Sequence, residues 1–256
     1  MDEKIDVLMT VGMPEELIEK LQAVSPRLFI HQHRVQRAEE IPAEIWATVE
    51  VLYTGRVIPQ PNQAPNLRWI QFHFAGIDHA LDAPIMQREG LLVTSMSGAS
   101  ATQVAEYIVM MLLSLGHHLP DMIDHQKRAV WPKDRWERFS PHEIRDATVG
   151  IVGYGSIGRQ LARVLFSFGA RIFATKRNGM NPKDKGYIVA GYGDPKGDYV
   201  HRIYPAEALK SMAKECDFLV NTVPLAASTR DLIGADVFSV MKETAFFIDV
   251  SRGGVV

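Results

Sequence analysis

The run from Ala147 to Arg177, ATVGIVGYGSIGRQLARVLFSFGARIFATKR, constrains this chain more than any other stretch. Gly153, Gly155 and Gly158 stand in the spacing G-x-G-x-x-G. An apolar strand-like run, Thr148 to Val152, leads in, and a helical pattern with Ile157, Leu161, Val164, Leu165 and Phe168 leads out. After Gly169 the chain returns to an apolar strand, Arg171 to Ala174. The glycines alone would say little. A strand before them and a helix after them define a βαβ unit whose first loop can bind phosphate. The first glycine permits a tight turn, the second lets backbone approach a pyrophosphate, and the third lets helix and strand pack closely. Ser156 and Ile157 open the helix, where free N–H groups and the helix dipole favour an anion. The stretch predicts a dinucleotide site.

The end of the second strand bears on which dinucleotide. An Asp or Glu about 20 residues past the glycines accepts the ribose 2′-hydroxyl of NAD. Here the chain reads Thr175-Lys176-Arg177-Asn178, with no carboxylate. A cationic tip with a hydroxyl suits a 2′-phosphate, for which arginine offers a planar fork. The expectation is NADP in preference to NAD.

With 256 residues the chain is long enough for two domains. A net charge of −2 and no clustered cationic face argue against nucleic acid or a membrane surface as partner. The single cysteine, Cys216, cannot form an internal disulfide and fits a reducing compartment, with a packing role at a helix-to-strand junction. Met1-Asp2-Glu3-Lys4 does not read as a secretory signal, and no apolar run is long enough to span a bilayer. A cytoplasmic location is expected.

The first hundred residues alternate short strands and helices. Ile5–Thr10, Leu28–Ile30, Val49–Tyr53, Arg68–Phe72 and Leu91–Thr94 read as strands, and Pro14–Val24 as a helix with Leu17, Ile18 and Leu21 on one face. Such alternation implies a mostly parallel sheet. A small-residue break at Ser97-Gly98-Ala99-Ser100 divides residues 1–98 from 99–256. The second part begins with a helix from Thr102 to about Leu119, apolar enough to be buried on most sides and carrying one buried-looking acid, Glu106. His117 and His118 close it, and adjacent helical residues point apart, which disfavours metal ligation. Asn178 to Tyr204 reads as a polar surface excursion without chemistry of its own. A helix (Ala206–Glu215), a strand (Asp217–Val223), a helix around Ala235–Met241 and a strand (Ala245–Val250) follow.

Further motifs resemble those of the D-isomer-specific 2-hydroxyacid dehydrogenases. Phe74-Ala75-Gly76-Ile77-Asp78 resembles the family's substrate loop, and Val104-Ala105-Glu106-Tyr107 its linker helix. Thr222-Val223-Pro224-Leu225 with Thr229-Arg230 resembles the loop bordering the adenine. Ile248-Asp249-Val250-Ser251-Arg252-Gly253-Gly254 resembles its strand-then-Arg-Gly motif. The motifs occur in the family's order. The resemblance implies a Rossmann-type doubly wound parallel sheet plus a flavodoxin-like α/β substrate domain, and hydride transfer between a nicotinamide and a 2-keto or 2-hydroxy acid.

It also implies roles. Backbone N–H groups of Ala75 and Gly76 would hold the substrate carboxylate, and Arg252 would reach that carboxylate and the keto oxygen. Ser156 and Ile157 would lie against the pyrophosphate, Val223, Pro224 and Thr229 beside the adenosine, and Val250 and Ser251 on the nicotinamide side. A homodimer formed through the nucleotide domain, with the helix from Thr102 as contact, is implied as well. The chain departs from the family in one respect: the glutamate-held histidine that serves as general acid is expected beyond Arg-Gly, and the chain ends at Val256. It therefore reads as a C-terminally truncated dehydrogenase of glyoxylate/hydroxypyruvate reductase type, weakly active or inactive as it stands, with His73 the one histidine placed to stand in. The alternatives are a nicotinamide-nucleotide-sensing, corepressor-like regulator on the same fold, or a different enzyme of the same superfamily that oxidises formate or phosphite.

Overall fold

Residues 4–179, 181–184 and 186–256 are described by the structure, a computed structural model. Met1-Asp2-Glu3, on which the absence of a signal was argued, lie outside the described residues, as do Met180 and Lys185 within the long excursion. The chain forms two compact units, the first ending at Ser97 and the second running from Gly98 to Val256.

The first unit contains β1 (Ile5–Met9), α1 (Glu15–Gln22), β2 (Leu28–Gln32), α2 (Ala43–Thr48), β3 (Val51–Thr54), β4 (Trp69–Phe72) and β5 (Leu92–Thr94). All pairings are parallel, in the order β2-β1-β3-β4-β5. This is the flavodoxin-like order. Leu8, Leu52, Ile70 and Phe72 bring the strands into one core with Trp46 of α2, whose indole N–H donates to the Ala38 carbonyl at 3.0 Å.

The second unit opens with α3 (Ala101–Gly116), α4 (Leu119–Lys127) and α5 (Arg135–Arg138). Then come β6 (Thr148–Val152), α6 (Ser156–Ser167), β7 (Arg171–Lys176), β8 (Arg202–Pro205), α7 (Leu209–Ala213), β9 (Phe218–Asn221), α8 (Ala235–Phe238) and β10 (Phe246–Asp249). The sheet is again parallel, in the order β10-β9-β6-β7-β8. Counted from β6, the order is that of the Rossmann fold, reversing direction between β6 and β9. Every residue of β6 is buried. Val149 and Ile151 pack with Leu161 and Leu165 of α6 and with Ile108 and Leu112 of α3. Val152 packs on the opposite face with Phe173, Met212, Cys216 and Leu219. A central strand buried on both faces must be apolar throughout, as this one is.

Two expectations need correction. The long helix ends at Gly116, because His118 takes a left-handed backbone (φ 55°) and the chain restarts as α4. It buries the stripe Ala105, Ile108, Leu112 and Gly116, while Tyr107 and Met110 are half exposed and Glu106 is exposed. Dense apolar composition hid a one-sided helix. The stretch after β7 is also more than a surface excursion, since Asp194 is buried within it and β8 ends it at the sheet edge.

No helix among the described residues is long and apolar enough to cross a membrane, and no group of three or more His, Cys, Asp or Glu among them could hold a metal ion. Cys216 is buried, and burial pushes its thiol up to about 12. Thiolate is the reactive form, so iodoacetamide should modify Cys216 only after unfolding, as mass spectrometry with and without urea would show. Gly150 has no room for a side chain: a Cβ there would lie 2.5 Å from the Cys216 Sγ and 3.1 Å from a Leu219 methyl. Gly150→Ala should therefore cost about 1–3 kcal/mol in urea denaturation, and adding Cys216→Ala should recover part of that loss.

Candidate functional site

The glycine turn sits at the carboxyl end of β6, at the reversal of strand order where ligands bind in open α/β sheets. Its three glycines do different work. Gly153 has φ +96°, and a Cβ on it would lie 2.7 Å from a Val223 methyl. Gly158 faces the Gly153 carbonyl and an Ile151 methyl so closely that α6 could not lie on β6 with any side chain there. Gly155 is exposed, and a Cβ on it would meet nothing within 4 Å. The space above the turn is thus left clear at the position where backbone would meet a pyrophosphate. At the helix cap the Arg159 N–H donates to the Gly155 carbonyl at 2.9 Å. The N–H groups of Ser156, Ile157 and Gly158 precede it and point out of the helix start. Ser156 and Ile157 are half-buried there. The residues present fit a dinucleotide phosphate.

The neighbouring strand ends lie in one row, with Thr175, Val152, Asn221 and Asp249 as register partners across β7, β6, β9 and β10. Thr175 is buried, and its hydroxyl accepts the Gly153 N–H at 3.1 Å while its carbonyl accepts that of Tyr154 at 2.9 Å. It therefore shapes the turn, which leaves Lys176 and Arg177 as the outer tip of β7. Lys176 donates to the carbonyls of Asn181 and Lys183, each at 2.7 Å. Desolvation, and then the Arg159 charge, hold its ammonium below the usual lysine range. Arg177 is exposed.

On the other side, the Thr222 hydroxyl donates to the Val152 and Gly153 carbonyls at 3.1 and 2.8 Å, fixing the start of the Val223-Pro224 loop to the turn. Val223 is half-buried and Pro224 exposed. The Thr229 hydroxyl closes that loop on itself, donating to the Pro224 carbonyl at 2.6 Å and accepting the Ala226 N–H at 2.8 Å. Val250 and Ser251 follow β10, and Ser251 donates to Asp249 at 2.6 Å. Asn221, buried at the end of β9, bridges Asp249 at 3.1 Å and Ser251 at 2.8 Å. Arg252 is exposed just beyond and donates to the Ser251 carbonyl at 2.8 Å.

In the first unit, Ala75 and Gly76 lie beyond the carboxyl end of β4, Ala75 exposed and Gly76 half-buried. His73, just before them, has its Nδ1 2.6 Å from the Tyr53 hydroxyl, and its ring packs edge-on against Tyr53 and Phe74. Burial pushes the Tyr53 hydroxyl up from its ordinary range.

Sequence reasoning missed three site-shaping residues: Asn221, Arg159 and Asp194. Asn221 carried a weak signal, a polar amide ending an apolar strand. Arg159 carried none, since an arginine after the third glycine reads as a solvated helix residue. Its 0% exposure is a product of the chain folding back from β7.

A doubly wound sheet with an open glycine turn at its switch point defines a dinucleotide-binding protein. Residues 109–256 match the model of the D-isomer specific 2-hydroxyacid dehydrogenase NAD binding domain, more than half of the chain. The chain belongs to that family. It is 32% identical over 192 residues to a glyoxylate reductase/hydroxypyruvate reductase of Mus musculus, covering 75% of this chain and 54% of the relative. The chain spans about half the length of the curated relatives it matches. An NADPH-dependent glyoxylate/hydroxypyruvate reductase from Sinorhizobium meliloti, solved with NADP and sulfate, superposes with TM-score 0.71 at 23% identity, covering 98% of this chain and 74% of that one. A D-lactate dehydrogenase from Aquifex aeolicus, solved with NAD and lactic acid, superposes with TM-score 0.70 at 22% identity, covering 98% and 70%. These two likenesses concern the fold.

The glycines make separable predictions. Gly155→Ala should melt within about 1 °C of the unaltered protein yet bind NADPH at least about tenfold more weakly, as calorimetric titration would show. Gly158→Ala should instead lower stability by about 1–3 kcal/mol.

Proposed function

We propose that this protein is an oxidoreductase that prefers NADP and acts on a small 2-keto or 2-hydroxy acid. The observation that carries the reading is the open glycine turn, flanked at the tip of β7 by Lys176 and Arg177 where an NAD site would offer a carboxylate. The relative named glyoxylate reductase/hydroxypyruvate reductase supports the substrate class. A bound nicotinamide supplies the hydride.

Residues of the chain do the rest. The N–H groups of Gly155, Ser156 and Ile157 hold the pyrophosphate, with Gly153 and Gly158 shaping the turn beneath it. Arg177 meets the 2′-phosphate, and Lys176 adds positive charge while holding backbone, with Thr175 supporting the turn from below. Val223, Pro224 and Thr229 form the adenosine wall, and Val250 and Ser251 the nicotinamide side. Backbone donors of Ala75 and Gly76 orient the substrate carboxylate. Arg252 is the catalytic residue of this set: a permanently charged fork can bind a carboxylate and polarise a keto oxygen. Residues 1–98 are on this reading the substrate domain and residues 99–256 the dinucleotide domain. No proton donor is assigned within these residues.

A homodimer is proposed through α3, whose exposed face carries Tyr107 and Met110. A cytoplasmic location is supported by the single cysteine, buried and unpaired with another.

The test is nucleotide and keto-acid specificity. NADPH should be oxidised with glyoxylate or hydroxypyruvate more efficiently than NADH. Arg177→Ala should raise the NADPH KM about tenfold or more and leave that of NADH within about twofold. Equal effects on both nucleotides would remove the NADP assignment. Arg252→Lys should lower kcat/KM for the keto acid by about 10²-fold or more with nucleotide binding intact.

A further inference from the structure

Arg159, directly after the third glycine, is buried to 0% exposure in the first turn of α6. A guanidinium does not shed its charge, so its burial demands partners. Apart from the Tyr154 ring, whose centroid lies 4.5 Å away, the partners come from the chain between β7 and β8. One Nη donates to the Asp194 carbonyl and the other to the Pro182 carbonyl, the latter at 2.7 Å. The Nε faces the Asp184 carboxylate at 3.2 Å. With Lys176 bonded to Asn181 and Lys183, the successive carbonyls 181, 182 and 183 are held by two cations from α6 and β7.

The far end of the segment is held as firmly. Asp194 accepts the Tyr154 hydroxyl at 2.5 Å and the N–H groups of Gly197, Asp198 and Tyr199 at 2.9, 2.7 and 3.1 Å. Gln160 accepts the Gly193 N–H at 2.6 Å. Between the two anchorages the chain passes the helix start. A Cβ on Gly98 would lie 3.0 Å from the Tyr187 carbonyl and 3.3 Å from the Ser156 hydroxyl. Tyr187 and Tyr192 line a cavity of about 30 Å³ together with Ser156 and Thr102.

We propose that Arg159 is a positioning residue for the dinucleotide. By clamping the β7–β8 segment at Pro182, Asp184 and Asp194, it holds Tyr187 at the phosphate end of the site. The guanidinium, sealed beneath the segment, touches no nucleotide, yet the affinity for both NADPH and NADH depends on it. This rests on the dinucleotide reading above and is independent of which nucleotide is preferred.

Arg159→Met keeps the bulk and removes the donors. Tyr154→Phe removes one hydroxyl from Asp194 and serves where the first variant does not fold. Amide exchange over residues 186–199, measured without nucleotide, reports the segment, and calorimetric titration reports NADPH and NADH. Faster exchange is expected, with both dissociation constants raised about tenfold or more in Arg159→Met and about threefold in Tyr154→Phe, their ratio unchanged. At saturating NADPH kcat should hold while KM rises, a split that general destabilisation would not produce. Faster exchange with unchanged dissociation constants overturns the proposal, as does a segment that stays protected in both variants. An unaltered protein that binds neither nucleotide overturns the dinucleotide reading itself, and this proposal with it.

Discussion

Helix α6 lies so close on strand β6 that Gly158 meets the Gly153 carbonyl and an Ile151 methyl with no room for a side chain between them. Much of the second unit depends on that approach. It lets Leu161 and Leu165 reach Val149 and Ile151, and it sets the helix start directly over the strand end, where unpaired N–H groups can face an anion. On the opposite face Gly150 allows the same closeness to Cys216 and Met212. A strand pressed from both sides has little freedom to shift, so the turn at its end is held in place by packing before any ligand arrives.

Hydrogen bonds then fix what packing leaves loose. Thr175 and Thr222 hold the turn from the two neighbouring strands, and Asn221 ties Asp249 to Ser251 at the next. These are buried or half-buried bonds, and the penalty for leaving one partner unmatched, about 1–3 kcal/mol, makes them matter. Exposed pairs such as Arg128–Asp124 and Arg138–Asp134 are different, since solvent screens their charges and leaves them little to contribute. The Arg159 cluster belongs with the buried bonds: a charge shut away from water makes its partners obligatory.

Much of the fold was legible in the residues. The strands around the glycine turn follow apolar runs that start and stop at glycines and polar residues, and the parallel alternation of the first unit follows strand and helix signals in turn. The α3 helix was legible as a helix but not as a one-sided one, because Tyr107 and Met110 are apolar and nothing local marks them as exposed. Glu106 misled for the same reason, being an acid among apolar neighbours that faces outward. The excursion after β7 was illegible in a deeper sense. Its glycines and charged residues resemble any surface loop, and its order comes from Arg159, Lys176, Tyr154 and Gln160, which lie elsewhere in the sequence.

By itself, then, the sequence determined the alternating strands and helices and the glycine turn, because each rests on local spacing, period and turn chemistry, while the family followed from the resemblance of its ordered motifs. Tertiary structure alone decided which groups around the turn are occupied and which are open. Thr175 reads as part of a phosphate-facing tip but spends its hydroxyl on Gly153, Lys176 divides its charge with the carbonyls of the returning chain, and Gly155 is left with clear space above it. Such assignments depend on contacts between residues far apart along the chain, and burial and hydrogen-bond saturation exist only once those residues meet.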